Sequence, residues 1–324
     1  MAVWIDFAWL LAGLVALYFG ADWLVGGSSR LALKFGISSL VVGLTVVAFG
    51  TSTPEMFVSL GFNLNGRPDM ALGNVVGSNI CNIALILGVS GLIYSINIKS
   101  SLLWFDLPVL VGASLIFVAM LWDGRIGRIE GGILFAGIIA YVIYQLVLVK
   151  KLPVQEIERE FEAELDPVEA QREPIWKLVA LILAGLVALY FGAQWLERGG
   201  VSLAKRVGVP EAVIALTLIA ISTSVPELAT AIVAALKKEG DIIIGNVIGS
   251  NIFNILSVIG VTALAKPIET QLIEMSDLLV MLALTALLIP IMGSRGKITR
   301  SEAGFLLACY AGYCTFLWFD RVAV

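Results

Sequence analysis

Along the chain, hydrophobic positions come in blocks of about twenty, divided by short polar stretches. An α-helix needs roughly 20 apolar residues to cross about 30 Å of hydrocarbon. Ten blocks qualify: 4–25, 39–61, 71–93, 102–122, 129–149, 176–196, 211–233, 243–265, 275–292 and 302–319. Membrane-spanning β-strands would alternate with period two, and these blocks do not. The expectation is an all-α membrane protein with ten transmembrane helices.

The pattern repeats. Residues 11–24 read LAGLVALYFGADWL and residues 183–196 read LAGLVALYFGAQWL, with one difference in fourteen positions. The same offset of 172 carries AFGTSTPE (48–55) onto AISTSVPE (220–227), and GNVVGSNICN (73–82) onto GNVIGSNIFN (245–254), without a gap. Five spans per half is an odd number, so the second half enters the membrane from the opposite side. The organisation expected is two inverted five-helix repeats, 1–149 and 176–324, in one membrane domain. They are joined by a cytoplasmic polar linker, 150–175, whose acidic residues read as a solvated loop. Val154, Ile157, Phe161 and Leu165 recur there at helical spacing and suggest a short surface helix. Inverted repeats are a recurring plan of secondary transporters, with the substrate site near the midplane at the repeat interface.

Composition agrees: 324 residues, 59% hydrophobic and 14% charged, with a mean hydropathy of +0.96. No Lys or Arg precedes the first apolar run, which is too long for a signal-peptide core, so span 1 is expected to be retained. Arg30 and Lys34 follow it and place its C-terminal end in the cytoplasm; carried through ten spans, 13 of the 21 basic residues fall inside. A multi-pass protein of the cell membrane, monomeric, with both termini outside, is the resulting expectation. Nothing points to nucleic acid. Histidine is absent, which removes imidazole from any metal site, and Cys81, Cys309 and Cys314 match no zinc or disulfide spacing. They read as small core residues.

Two spans carry polar residues that need a reason. Pro54 and Pro226 lack an amide hydrogen, so the carbonyls of Gly50 and Ser222 lose their helical partners. Such breaks survive in hydrocarbon only where protein, water or an ion satisfies them. Thr51, Ser52 and Glu55 share a face around the first break, as do Thr223, Ser224 and Glu227 around the second. The third span of each half adds Ser78 with Asn82, and Ser250 with Asn254. Taken singly, a serine or threonine usually bonds its own helix, the asparagines could be interhelical glue, and the Gly73/Gly77 and Gly245/Gly249 pairs fit small-residue packing. Glutamate is different, because a charge at the bilayer centre costs roughly 2.5–3.5 kcal/mol on the mildest scale. Two facing glutamates require cations or protons between them. Oxygen-only ligation favours calcium, magnesium, sodium or protons over zinc and copper, with manganese also open.

These residues resemble a known family. The paired motifs, GTSTPE with STSVPE and GNVVGSNICN with GNVIGSNIFN, are similar to those of the calcium/cation antiporter superfamily, and most closely its prokaryotic sodium/calcium exchangers. The resemblance implies exchange of calcium for sodium by alternating access, with no cofactor and no enzymatic chemistry. It implies that Glu55 and Glu227 bind both ions, that Thr51 and Thr223 offer backbone carbonyls to calcium, and that Asn82 and Asn254 complete the centre. Ser52, Ser78, Ser224 and Ser250, with the carbonyls of Ala48 and Ala220, would line flanking sodium sites. The chain departs from the family at Ser222, where a glycine is usual, and its neutral Asn254 argues against potassium co-transport. Helices 1 and 6 correspond to the pair that slides across the core, their small residues suiting low-friction packing. If one calcium exchanges for three sodium ions, each cycle moves one net charge, worth about 2.3 kcal/mol per 100 mV.

Two other functions fit parts of the pattern. A proton/calcium exchanger would use the same glutamates by protonating them. An intramembrane hydrolase using the two acids as acid and base would need a path for its substrate and catalytic water, and nothing here resembles a nucleophile elbow, a zinc motif or an intramembrane protease dyad.

Overall fold

The computed structural model describes residues 3–148, 173–207, 222–270 and 275–321. The first half holds α1 (Val3–Phe35), α2 (Ser39–Thr51), α3 (Thr53–Leu64), α4 (Pro68–Ile93), α5 (Leu102–Asp123) and α6 (Arg128–Val147). The second holds α7 (Ile175–Arg206), α8 (Val225–Leu236), α9 (Gly240–Ala265), α10 (Met275–Arg295) and α11 (Arg300–Arg321). Among the described residues, eight helices are long and apolar enough to cross a membrane, α2 and α3 together make a ninth span bent by 41°, and α8 is shorter. The linker helix expected at 154–165 and the first part of the seventh expected span, 211–221, lie outside the described residues.

The duplication in sequence is a duplication in structure. Shifting by 172 residues carries α3 onto α8 and α4 onto α9 with identical bounds. The all-helical expectation needs one addition, four two-residue strands in the connections. β1 (Ile96–Asn97) pairs with β4 (Lys297–Ile298), and β2 (Arg125–Ile126) with β3 (Ile268–Glu269), both antiparallel. The same shift maps β1 onto β3 and β2 onto β4. Each pair therefore joins one half to the other and satisfies backbone groups where the chain leaves a helix.

The breaks fall one step from where proline chemistry alone puts them. Pro54 stands in the first turn of α3 and Pro226 in the first turn of α8, positions whose amide hydrogen has no helical partner anyway. The kink itself is at Ser52 (φ −82°, ψ 0°) and at Ser224 (φ −89°, ψ 2°). Proline here starts a helix instead of interrupting one.

The small residues of helices 1 and 6 face each other. Gly13, Gly20 and Gly27 on α1 recur every seven residues, as do Gly185, Gly192 and Gly199 on α7, which keeps each set on one helix face. A Cβ on Gly20 would lie 2.9 Å from the Gly185 carbonyl oxygen, one on Gly13 2.9 Å from that of Gly192, and one on Gly199 2.8 Å from that of Asp6. The partner number falls as the α1 number rises, so the helices are antiparallel, in backbone contact that small residues alone permit. Ion pairs lock the ends, Arg206 Nε–Asp6 at 2.6 Å and Arg30–Glu173 at 3.2 Å, while Lys237 Nζ–Asp22 at 2.6 Å ties the middle of α1 to the end of α8. A hydrogen bond from Lys177, reinforced by Arg30, holds the Glu173 carboxyl below its ordinary range. The α1–α7 pair is thus a tightly joined unit.

Core burial centres on α9, whose apolar stretch is buried throughout, with α4 beside it. Cys81 is buried as expected, but Cys314 is exposed, because α11 lies at the outside of the bundle. Gly245 and Gly249 pack as expected, a Cβ on the former lying 2.9 Å from Gly43 Cα and on the latter 2.7 Å from Ala48 Cβ. Gly73 and Gly77 meet no described atom within 4 Å and line a cavity instead. The α1–α7 seam predicts that Gly20→Ala lowers the melting temperature of the detergent-purified protein, by about 1–3 kcal/mol of overpacking. Gly304→Ala, where nothing described stands within 4 Å, should be neutral or slightly stabilising, since alanine is the better helix former.

Candidate cation site

Four segments meet at the centre: the end of α2 with the start of α3, the start of α8, and the middles of α4 and α9. In α4 and α9 the regular helix widens into π-turns at Cys81–Ile86 and Asn254–Ile259, an irregularity common at functional sites. These turns contain Asn82 and Asn254.

Glu55 and Glu227 are both fully buried, in the first turns of α3 and α8. Their contacts are crossed between the halves. Ser224 Oγ donates to Glu55 Oε1 at 3.5 Å, and Ser52 Oγ donates to Glu227 Oε1 at 3.4 Å. Ser224 Oγ also meets Ser78 Oγ at 3.2 Å. The crossing continues one residue earlier, where Thr51 Oγ1 donates to Asn246 Oδ1 at 3.1 Å and Thr223 Oγ1 to Asn74 Oδ1 at 3.2 Å. Asn254 Nδ2 donates to Asn79 Oδ1 at 3.2 Å. Glu55 lies near enough to Glu227 to feel its charge, and among the described residues neither carboxylate has an ion pair.

What these groups leave unused is informative. Buried polar atoms in folded proteins are nearly always hydrogen-bonded. Of thirteen buried side-chain nitrogen and oxygen atoms without a partner among the described residues, eight belong to Glu55, Glu227 and the paired segments GNVVGSNICN and GNVIGSNIFN. They are Glu55 Oε2, Glu227 Oε2, Ser250 Oγ, both ends of the Asn82 amide, Asn246 Nδ2, Asn251 Oδ1 and Asn254 Oδ1. Most are oxygens, two are carboxylate oxygens, and none is sulfur or imidazole. A second buried acid shows the contrast: Asp106 Oδ1, at the start of α5, accepts from the Tyr141 hydroxyl at 2.9 Å and from the Gln145 amide. Neutral donors satisfy Asp106; the glutamate pair has two weak hydroxyl contacts and spare oxygens.

Beside the cluster lies a cavity of about 1320 Å³, with Thr51, Asn74, Cys81, Ser222 and Thr223 on its wall and Asp69 and Glu197 also lining it. Cys81 stands where the second half has Phe253, so the duplicated motifs are not lined alike.

The structure thus links Glu55, Glu227, Ser52, Ser224, Ser78, Thr51 and Thr223 through the hydrogen bonds just described, while Asn82, Asn254 and Ser250, on α4 and α9, carry unpaired buried atoms. The Ala48 carbonyl already accepts the Ser52 amide at 2.9 Å and stands 3.4 Å from Thr51 Oγ1, leaving limited room for a further partner. Ala220 lies outside the described residues. Asn74, Asn79, Asn246 and Asn251 are additions to the expected set. Their signal was present, as they are the amides of the same GNxxGSN motif at the same offset.

Buried paired carboxylates in a polar cage, held by broken and widened helices of a duplicated membrane bundle, define a cation-handling transport protein. Its family is also directly visible: residues 5–147 and 177–319 match the family described as sodium/calcium exchanger protein, and the chain belongs to that family. It is 37% identical to the inner membrane protein YrbG of Escherichia coli over 270 residues, 81% of this chain and 80% of that one. It is 29% identical to the sodium/calcium exchanger MaX1 of Methanosarcina acetivorans, covering 97% of this chain and 99% of that one. A solved structure of the sodium-calcium exchanger NCX_Mj, soaked with zero Na+ and Ca2+, superimposes with a TM-score of 0.83 at 30% identity, covering 98% of this chain and all of the other.

The cluster predicts that Glu55→Gln and Glu227→Gln each remove calcium binding, read by calorimetry on the purified protein, with less than a few degrees' change in melting temperature. Each removes a charge from a pair that has no compensating cation of its own, so the fold should tolerate the change.

Proposed function

We propose that this protein exchanges calcium for sodium across the cell membrane by alternating access, expelling calcium. The observation that carries this reading is the pair of fully buried glutamates, one from each half, with unpaired second oxygens and no basic partner among the described residues. Two negative charges in a medium of low dielectric repel strongly, and a bound cation reverses the sign of that energy. One calcium ion neutralises the pair; sodium ions do the same work at separate positions around the same oxygens. Because the carboxylates cannot serve both loads at once, binding one ion type excludes the other. An empty pair is costly to enclose, so the occluded state is reached mainly with ions bound. That dependence couples the two fluxes.

In this reading Glu55 and Glu227 bind both ions, and the backbone carbonyls of Thr51 and Thr223 complete calcium. Ser52, Ser78, Ser224 and Ser250, with the Ala48 and Ala220 carbonyls, line the sodium positions, and Asn82 and Asn254 close the centre. The architecture is ten transmembrane helices in two inverted repeats, 1–149 and 176–324, with linker 150–175 in the cytoplasm, both termini outside and a monomer in lipid. The matching bounds of α3 with α8 and α4 with α9, the antiparallel α1–α7 seam and the strand pairs between halves all support it. Inverted halves let one site face either side by exchanging the roles of equivalent helices.

The test is flux into proteoliposomes preloaded with calcium. An imposed sodium gradient should drive calcium movement that saturates and stops in Glu55→Gln. A pH gradient alone should drive none; calcium flux driven only by pH would establish the proton exchanger instead.

A further inference from the structure

The two crossed threonine–asparagine bonds have no part in ion ligation as proposed, yet they sit on the residues whose carbonyls would bind calcium. Thr51 ends α2, and at Ser52 the chain leaves helical geometry: the Ser52 amide still bonds the Ala48 carbonyl at 2.9 Å, but the backbone changes direction before the next regular turn begins. The side-chain bonds of Thr51, and of Thr223 at the equivalent break, add to what sets the direction of these carbonyls.

A helical threonine ordinarily bonds the carbonyl four residues back. Thr51 Oγ1 does stand 3.1 Å from Val47 O, but its single hydrogen is shared with Asn246 Oδ1, also at 3.1 Å and on the other half. Thr223 Oγ1 reaches Asn74 Oδ1 at 3.2 Å by the same offset. Asn74 extends the link, because its Nδ2 donates to Ser59 Oγ at 3.0 Å and to the Glu55 backbone carbonyl at 3.5 Å. Through it the break before α8 is fastened to the helix that carries Glu55. Asn246 is fully buried and has an unpaired Nδ2, so it is held there at a cost. A neutral amide can accept a hydroxyl beside two carboxylates without adding a third negative charge.

Resting on the exchange reading, we infer that Asn74 and Asn246 are positioning residues: each clasps the threonine at the opposite half's helix break and thereby aims that threonine's carbonyl, and the following serine, at the cation. The following serines are the ones that touch the carboxylates, Ser52 to Glu227 and Ser224 to Glu55. Each clasp therefore couples carbonyl, hydroxyl and carboxylate into one geometry.

The experiment is a pair of double-mutant cycles on the full-length protein, read as the calcium dissociation constant by calorimetry in detergent, with melting temperature alongside. Asn246→Ala and Thr51→Val should each weaken calcium about tenfold, the equivalent of one hydrogen bond at ~1.4 kcal/mol. The double variant should be no weaker than either single one. Asn74→Ala with Thr223→Val should behave alike, and because Asn74 is only partly buried at the cavity wall, this cycle serves if Asn246→Ala fails to fold. The cross pair Asn246→Ala with Thr223→Val should multiply to about a hundredfold. Full multiplicativity within the clasped pairs, or loss of melting temperature with calcium affinity unchanged, overturns the inference. Calcium binding without sodium-driven flux in the unsubstituted protein overturns the exchange reading alone; absence of calcium binding overturns both.

Discussion

Two carboxylates without counter-charges, enclosed where neither water nor lipid can stabilise them, set the terms for everything around them. The energy of such a pair depends on what lies between them, and the surrounding protein supplies only weak hydroxyl contacts at 3.4–3.5 Å. Neutral donors can serve a buried acid, and in this protein they do so at Asp106, where Tyr141 and Gln145 both donate to Oδ1. Leaving Glu55 and Glu227 under-satisfied keeps a large free energy available to an incoming ion. Structural acids and transport acids are separated here by their partners, not by their burial.

Part of the irregular backbone serves that arrangement. Kinks at Ser52 and Ser224 place hydroxyls and the following carboxylates at the turn of direction, and the π-turns of α4 and α9 contain Asn82 and Asn254. Irregular backbone at membrane depth is tolerable only where it is buried in protein or lines a cavity. Around this centre the bundle has a glycine seam between α1 and α7, aliphatic packing around α9, and further π-turns at Gly43–Val47, Leu102–Asp106 and Tyr144–Leu148.

Crossing is the recurring theme of the contacts. Ser52 serves Glu227 and Ser224 serves Glu55, while Thr51 meets Asn246 and Thr223 meets Asn74. Neither half can build the site alone, so relative displacement of the halves must alter ligation. The mirror relation is incomplete where it touches the cavity: Ser224 has Ser78 as a partner but Ser250 has none, and Cys81 stands opposite Phe253. Duplicated sequence thus yields two sets of polar groups that are similar in kind and different in surroundings.

Much of this was readable from residue order. Block lengths announced a helical membrane protein, the 172-residue offset announced a duplicated one, and glutamates beside prolines in apolar blocks marked the site, because the cost of burying charge is independent of fold. Helix patterns could not say that Pro54 opens α3 instead of breaking α2, since proline suits a first turn and disrupts a middle one, and only neighbouring structure decides which it occupies. Nor could they pair Thr51 with Asn246, 195 residues away, or turn Gly13 and Gly20 toward α7. Local sequence determines which groups are unusual enough to need partners. Which partners they find is a property of how distant segments pack, and here it was settled by the way one half lies against the other.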